Sequence, residues 1–114
     1  MAVSSDYLDF VLEQLAPVGP LTWRKMFGGV GLYAQGLFFA LIDHDTLYLK
    51  GDEALRPDFE AAGSVQFAPV GMKPMAYWSA PAEALDEPEL MIHWARRSIA
   101  VAAARKARKA RKAK

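Results

Sequence analysis

Leu21 to Lys50, LTWRKMFGGVGLYAQGLFFALIDHDTLYLK, is the stretch from which the fold can be read. It is rich in β-branched, aromatic and leucine residues, which suit a pleated, half-buried surface. Turn residues break it at Gly28-Gly29, at Ala34-Gln35-Gly36 and at Asp43-His44-Asp45. The pattern predicts one long strand from Thr22 to Tyr33, followed by strands over Leu37 to Ile42 and Thr46 to Lys50. Glycine inside a strand marks a bulge or a close backbone approach, so Met26-Phe27-Gly28-Gly29 reads as an irregularity within the first strand. The unbroken apolar run of the second strand predicts burial on both faces. Three antiparallel strands in sequence make a meander, and helices must cover one face of it. The stretch holds no plausible catalytic group.

Outward from this block, Ser5 to Ala16 reads as a helix with Ser4 or Ser5 as its cap and Asp6 and Asp9 in the first turn. Tyr7, Leu8, Val11, Leu12 and Leu15 form its apolar stripe. On the other side, a second helical segment opens at Asp52 or Glu53, is kinked at Arg56-Pro57 and ends at Gly63. Val65 to Ala68 and Met75 to Trp78 read as two short strands. A last helix begins near Pro88 and turns Met91, Trp94, Ala95, Ser98, Ile99 and Ala102 to the core. The predicted order is α-β-β-β-α-β-β-α, a two-layer α+β fold with a five-stranded antiparallel sheet packed by helices.

The 114 residues fit one domain, and the 53% apolar content suffices for a single core. The absence of cysteine excludes disulfides, thiolate metal sites and cysteine nucleophiles. The N-terminus does not read as a signal peptide, and the apolar run at Leu37 to Ile42 is far too short to cross a bilayer. A soluble cytoplasmic protein with no membrane role is expected. The net charge of +1 hides an asymmetry: seven of the fourteen Lys and Arg residues lie in 105–114, leaving the body with seven basic and thirteen acidic residues. Residues 1–104 are therefore expected to fold, and 105–114 to form a flexible basic tail.

The ordered set Leu15-Ala16-Pro17, Arg24-Lys25-Met26-Phe27-Gly28-Gly29, Gly31-Leu32-Tyr33, Phe39-Ala40, Leu47-Tyr48-Leu49-Lys50, Arg56-Pro57-Asp58-Phe59, Ala62-Gly63, Met75-Ala76-Tyr77-Trp78 and Trp94-Ala95-Arg96-Arg97 resembles the N-terminal domain of the TfoX/Sxy family. The resemblance spans about Ser5 to Ala104 and implies a fold similar to type III secretion chaperones. It marks Met26, Phe27, Gly28, Gly29, Tyr33, Leu47 and Tyr48 as family-motif residues of structural character. It also implies a bacterial, non-enzymatic regulator of competence and transcription, acting with a cyclic-AMP receptor protein. Full-length members carry a second, helical domain that looks DNA-associated; this chain is expected to stand alone, with the basic segment in its place.

Gly29-Val30-Gly31-Leu32-Tyr33-Ala34 formally matches a dinucleotide fingerprint, but the pattern that follows is a hairpin and a strand, with no helix to bind a pyrophosphate. His44 between Asp43 and Asp45 reads as a solvated turn, and His93 as an edge-of-core residue with no second imidazole at ligand spacing. No serine sits in a nucleophile elbow. Asp86, Glu87 and Glu89 complement a helix dipole. Alternation places Trp23 and Lys25 on one face and Arg24 on the other, which argues against a stacking platform there. No cofactor and no metal are expected.

The tail is the better candidate. Arg105, Lys106, Arg108, Lys109, Arg111, Lys112 and Lys114 could contact DNA or RNA without sequence preference, and the drift of Arg105, Arg108 and Arg111 spreads cations around a helix. Only alanine is interspersed, unlike a membrane-surface helix. The alternative is a tail that only solubilises. Three functions follow as expectations: a regulator binding a protein partner, such as transcription machinery, with nucleic-acid contact by the tail; a module that dimerises or holds an extended peptide; and, more remotely, an enzyme with a pocket near Trp78, Trp94 and Met75.

Overall fold

The computed structural model describes residues 3–26, 28–69 and 71–112. Helix α1 is Ser5–Leu15, and the Ser4 hydroxyl accepts from the Tyr7 N–H to cap it. Leu8, Val11 and Leu15 bury the stripe, while Tyr7 and Leu12 pack half-buried against the same core. A 3₁₀ turn at Ala16–Val18 leads into the sheet. Five antiparallel strands lie side by side in chain order: β1 (Leu21–Met26), β2 (Gly29–Ala34), β3 (Leu37–Asp43), β4 (Thr46–Lys50) and β5 (Tyr77–Ser79). Helix α2 (Arg56–Ala61) stands between β4 and β5; α3 (Ala82–Asp86) and α4 (Pro88–Lys112) follow. The two-layer α+β fold with a five-stranded antiparallel sheet is thus the fold of the chain.

Strand boundaries depart from expectation in three places, one of them the predicted strand Met75 to Trp78, which runs as Tyr77–Ser79. Thr22 to Tyr33 is not one bulged strand but a hairpin, because Met26 pairs with Gly29 and Lys25 with Val30. Gly28, at φ +77°, supplies the reversal. The sheet's irregularity lies instead on β3: Leu32 pairs with Ala40 and Tyr33 with Phe38, so Phe39 is the extra residue. That bulge lets two consecutive residues, Phe39 and Ala40, both be buried in the core. Val65 to Ala68 forms a single bridge, Gln66 to Trp78, along the outer edge of β5.

Register assigns the two faces. Val30, Leu32, Ala40, Ile42, Leu47, Leu49 and Trp78 face α1 and α4 and form the core with Met91, Trp94 and Ala95. Phe59 of α2 stacks between Trp78 and Trp94, with centroids 5.4 and 4.7 Å away. Three large rings are thereby buried together in the helical layer. Met91, Trp94, Ala95, Ser98 and Ala102 of α4 are buried as expected, and Ile99 is half-buried. The opposite face carries Arg24, Gly31, Tyr33, Phe38, Leu41, Tyr48, Lys50 and Tyr77.

The basic segment begins inside the last helix. Helix α4 runs without a break from Pro88 to Lys112. No helix is long and apolar enough to cross a membrane among the described residues.

Candidate functional site

The family-motif residues separate into three jobs. Gly29 lets β2 approach β3: a Cβ there would run into the Ile42 carbonyl oxygen. Leu47 is buried in the core, and Tyr48 packs its ring against Phe67 at 4.7 Å. Met26 and Tyr33 reach the face away from the helices, and Phe27 lies outside the described residues. The tight β2–β3 and β3–β4 turns follow from Gln35 and Gly36 at φ 52° and 77°, and from His44 and Asp45 at 50° and 51°.

On that second face, side chains from all five strands form a row. The rings of Tyr33 and Phe38 stack at 5.2 Å, and Phe38 meets Tyr77 at 5.5 Å. One cation stands at the β1 end of the row and another within it, between Phe38 and Tyr77. The Arg24 guanidinium sits 5.7 Å from the Tyr33 ring, and the Lys50 ammonium sits 4.8 Å from Tyr77 and 5.9 Å from Phe38. Lys50 Nζ donates to Tyr77 Oη at 3.1 Å. Lys50 is 8% exposed, the one charged side chain classed as buried among the described residues. Burial, and then the nearby charges of Arg105 and Lys109, hold its pKa below the usual lysine value. Burial pushes the Tyr77 phenol up to about 12, with Arg105 pulling it down and Tyr33 up.

Beside this row is a cavity of about 150 Å³. Met26, Phe38, Leu41, Phe67, Met72 and Met75 line it, and Asp43 is the one ionisable residue in its wall. Gly31 makes room for it, since a Cβ there would press on Met26 Sδ at 2.9 Å and Phe38 at 3.1 Å. The segment after Gln66 roofs this end of the sheet, with the Met75 N–H donating to the Phe67 carbonyl. Strand β1 is an outer strand, and its second edge is unpaired among the described residues.

The basic end of α4 is the third element. Arg105, Lys106, Arg108 and Lys109 are exposed; Arg111 and Lys112 continue the helix, and Lys114 lies outside the described residues. Helical spacing puts Met91, Ala95, Ser98, Ala102, Arg105 and Lys109 on one stripe, at alternating steps of four and three. The buried stripe of α4 therefore becomes cationic where it leaves the core.

Other candidates dissolve on inspection. Asp43 and Asp45 do not converge: Asp43 Oδ2 lies 2.9 Å from His44 Nδ1, while Asp45 Oδ1 accepts from the Ser4 N–H at 2.7 Å. No group of three metal-capable side chains occurs among the described residues. His93 is exposed, near the ion pair that ties Arg97 of α4 to Asp58 of α2. Trp78 and Trp94 close on Phe59, whereas Met75 lines the cavity on the other face, so these three form no common pocket. The fingerprint-like Gly29-to-Ala34 segment is strand β2 itself. Trp23 and Arg24 face opposite sides as alternation requires, with Trp23 paired to Leu32 and Arg24 to Gly31.

Lys50 and Tyr77 stand within the quoted family motifs, but the sequence assigns them no role, and Phe38 reads only as part of an apolar strand; a lysine ending the strand Thr46–Lys50 reads equally well as an ordinary strand terminus.

No curated protein matches the chain. The family model described as TfoX N-terminal domain matches residues 13–102. That match takes in α1 from its last turn, every strand of the sheet and α4 as far as the last buried residue, Ala102. It covers most of the 114 residues, and the chain belongs to the TfoX N-terminal domain family.

Proposed function

We propose that this chain is a non-enzymatic regulatory protein of the TfoX kind, which binds a protein partner through its folded body and nucleic acid through the basic end of α4. The observation that carries the reading is the continuity of α4. An unbroken helix anchored by Trp94, Ala95 and Ala102 carries the basic residues from Arg105 onward past the core of an otherwise acidic body. Side chains at 103–110 are exposed, so their charges are available to a polyanion. Like charges at i,i+3 and i,i+4 destabilise that end of the helix, and phosphate neutralisation would relieve the repulsion.

The test is an electrophoretic mobility shift on duplex DNA, comparing the whole chain with one ending at Ala104. Full engagement of the seven tail cations gives a log–log salt slope of about −6. Equal retardation by both chains, or none by either at low salt, removes the tail from the mechanism.

A second reading draws on a separate observation, the unpaired edge of β1 beside an apolar cavity. In it the domain dimerises or adds an extended peptide as a sixth strand, with an apolar side chain in the cavity and no nucleic-acid role. Pull-down from lysate after nuclease treatment separates the two. Retained protein partners favour the module; loss of all partners favours tethering by nucleic acid.

A further inference from the structure

The ammonium of Lys50 has no carboxylate partner among the described residues, although the chain holds thirteen acidic side chains. Burying an ammonium is costly unless it is paired and hydrogen-bonded. Here one of its three donors meets Tyr77 Oη, and the rings of Tyr77 and Phe38 lie 4.8 and 5.9 Å from it. The nearest charges have the same sign. Arg105 and Lys109 continue the buried stripe of α4 and stand close enough to disfavour the charged form of Lys50. A lysine serving only to cover apolar surface would carry its charge out to water. A buried ammonium bonded to a phenol, with the like charges of Arg105 and Lys109 within electrostatic reach, lacks the anion that would offset it among the described residues.

What lies on either side identifies the anion. Arg105 and Lys109 lead into the cations of α4, so the site is the root of a longer cationic track. In the other direction Lys50 borders Phe38 and Tyr33, both half-buried, with Arg24 beyond. A positively charged track beside rings is the arrangement that holds unpaired bases and their backbone together.

We propose that a single-stranded nucleic acid crosses the open face of the sheet, with one backbone phosphate held by Lys50, the Tyr77 hydroxyl, Arg105 and Lys109 and an adjoining base against Phe38 and Tyr33. This deepens the nucleic-acid reading of α4 and rests on it. It also assigns a preference for single strands, because a duplex keeps its bases stacked away from the aromatic row.

Fluorescence anisotropy with a labelled oligothymidylate and a labelled duplex tests it. Lys50→Met keeps the aliphatic stem and removes the charge. It should weaken single-strand binding by about fivefold or more at low salt and reduce the salt slope by about 0.7. The same variant should change duplex binding by less than about twofold, since duplex is held by the exposed cations. Single-strand affinity and slope unchanged in Lys50→Met overturn the proposal. Should that variant lose its cooperative melt, Tyr77→Phe decides, because it removes only the hydroxyl; an unchanged affinity then overturns the site. Ending the chain at Ala104 keeps every buried residue of α4 and separates the two levels of argument. If the shortened chain binds as the whole chain does, the tail reading fails; if it loses binding while Lys50→Met does not, only the Lys50 site fails. Binding of inorganic phosphate that depends on Lys50, without oligothymidylate binding, overturns the polynucleotide assignment.

Discussion

Gly28 and Gly29 stand side by side for different reasons, and alanine substitution separates them. Gly28 has φ +77° and open space where a Cβ would project. Gly28→Ala therefore incurs only the strain of a left-handed residue, about 1 kcal/mol. At Gly29 a Cβ would fall well inside contact distance of the Ile42 carbonyl oxygen, with the Ile42 carbonyl carbon at 3.4 Å and Asp43 Cα at 3.6 Å. These are backbone atoms of β3, so no side chain can rotate away. Relief requires β2 and β3 to part beside the Val30–Ile42 pair. Losing one ladder hydrogen bond there, with its groups left short of partners, costs about 2–4 kcal/mol. Domains of this size are stable by roughly 5–15 kcal/mol. Each kcal/mol shifts Tm by roughly 3–6 °C at this length, so Gly29→Ala should lower Tm by about 10 °C or more and Gly28→Ala by about 5 °C. Thermal melts followed by circular dichroism check both. Equal losses, or a larger loss in Gly28→Ala, would refute this division of roles, as would a Gly29→Ala domain that melts like the parent.

Two further outcomes are expected. Tyr77 is pushed up to about 12 from 10.0, so the unfolded chain gives up that proton first. The stability it contributes is complete below about pH 10 and is lost as pH rises towards 12. Phenolate absorbance should show Tyr77 ionising towards 12, and Tyr77→Phe should flatten the alkaline loss of stability; Tyr77 ionising near 10 contradicts this. Ser98 is fully buried, and its hydroxyl has no partner among the described residues. Ser98→Ala should therefore leave stability unchanged or raise it by about 1 kcal/mol in urea unfolding; a loss of that size would mean the hydroxyl is bonded.

Strands β3 and β4 were legible to within a residue because apolar runs are bounded by short polar turns, and both turns adopt the left-handed conformations such hairpins need. The break at Gly28 was visible, but its nature was not. A glycine in an apolar run fits a bulge and a reversal equally well, and only the pairing of Met26 with Gly29 distinguishes them. The real bulge at Phe39 has no local signature, since its cause is the need to bury both Phe39 and Ala40. The basic segment was found as a charge run. Following its arginines alone hid the stripe that carries Ala102 on to Arg105 and Lys109.

Composition, turn residues and periodicity are short-range properties, and by themselves they determined the α+β class, the family, most of the core of α1 and α4, and the charge division between body and tail. Tertiary structure alone decided the two-sided character of the sheet: the helices cover one face, while the other gathers Tyr33, Phe38, Lys50 and Tyr77 beside a cavity. The reason is physical. Lys50 and Tyr77 are 27 residues apart and meet only because β4 and β5 pair in one register. Arg105 comes within electrostatic reach of them only because the packing of α4 sets where its stripe leaves the core.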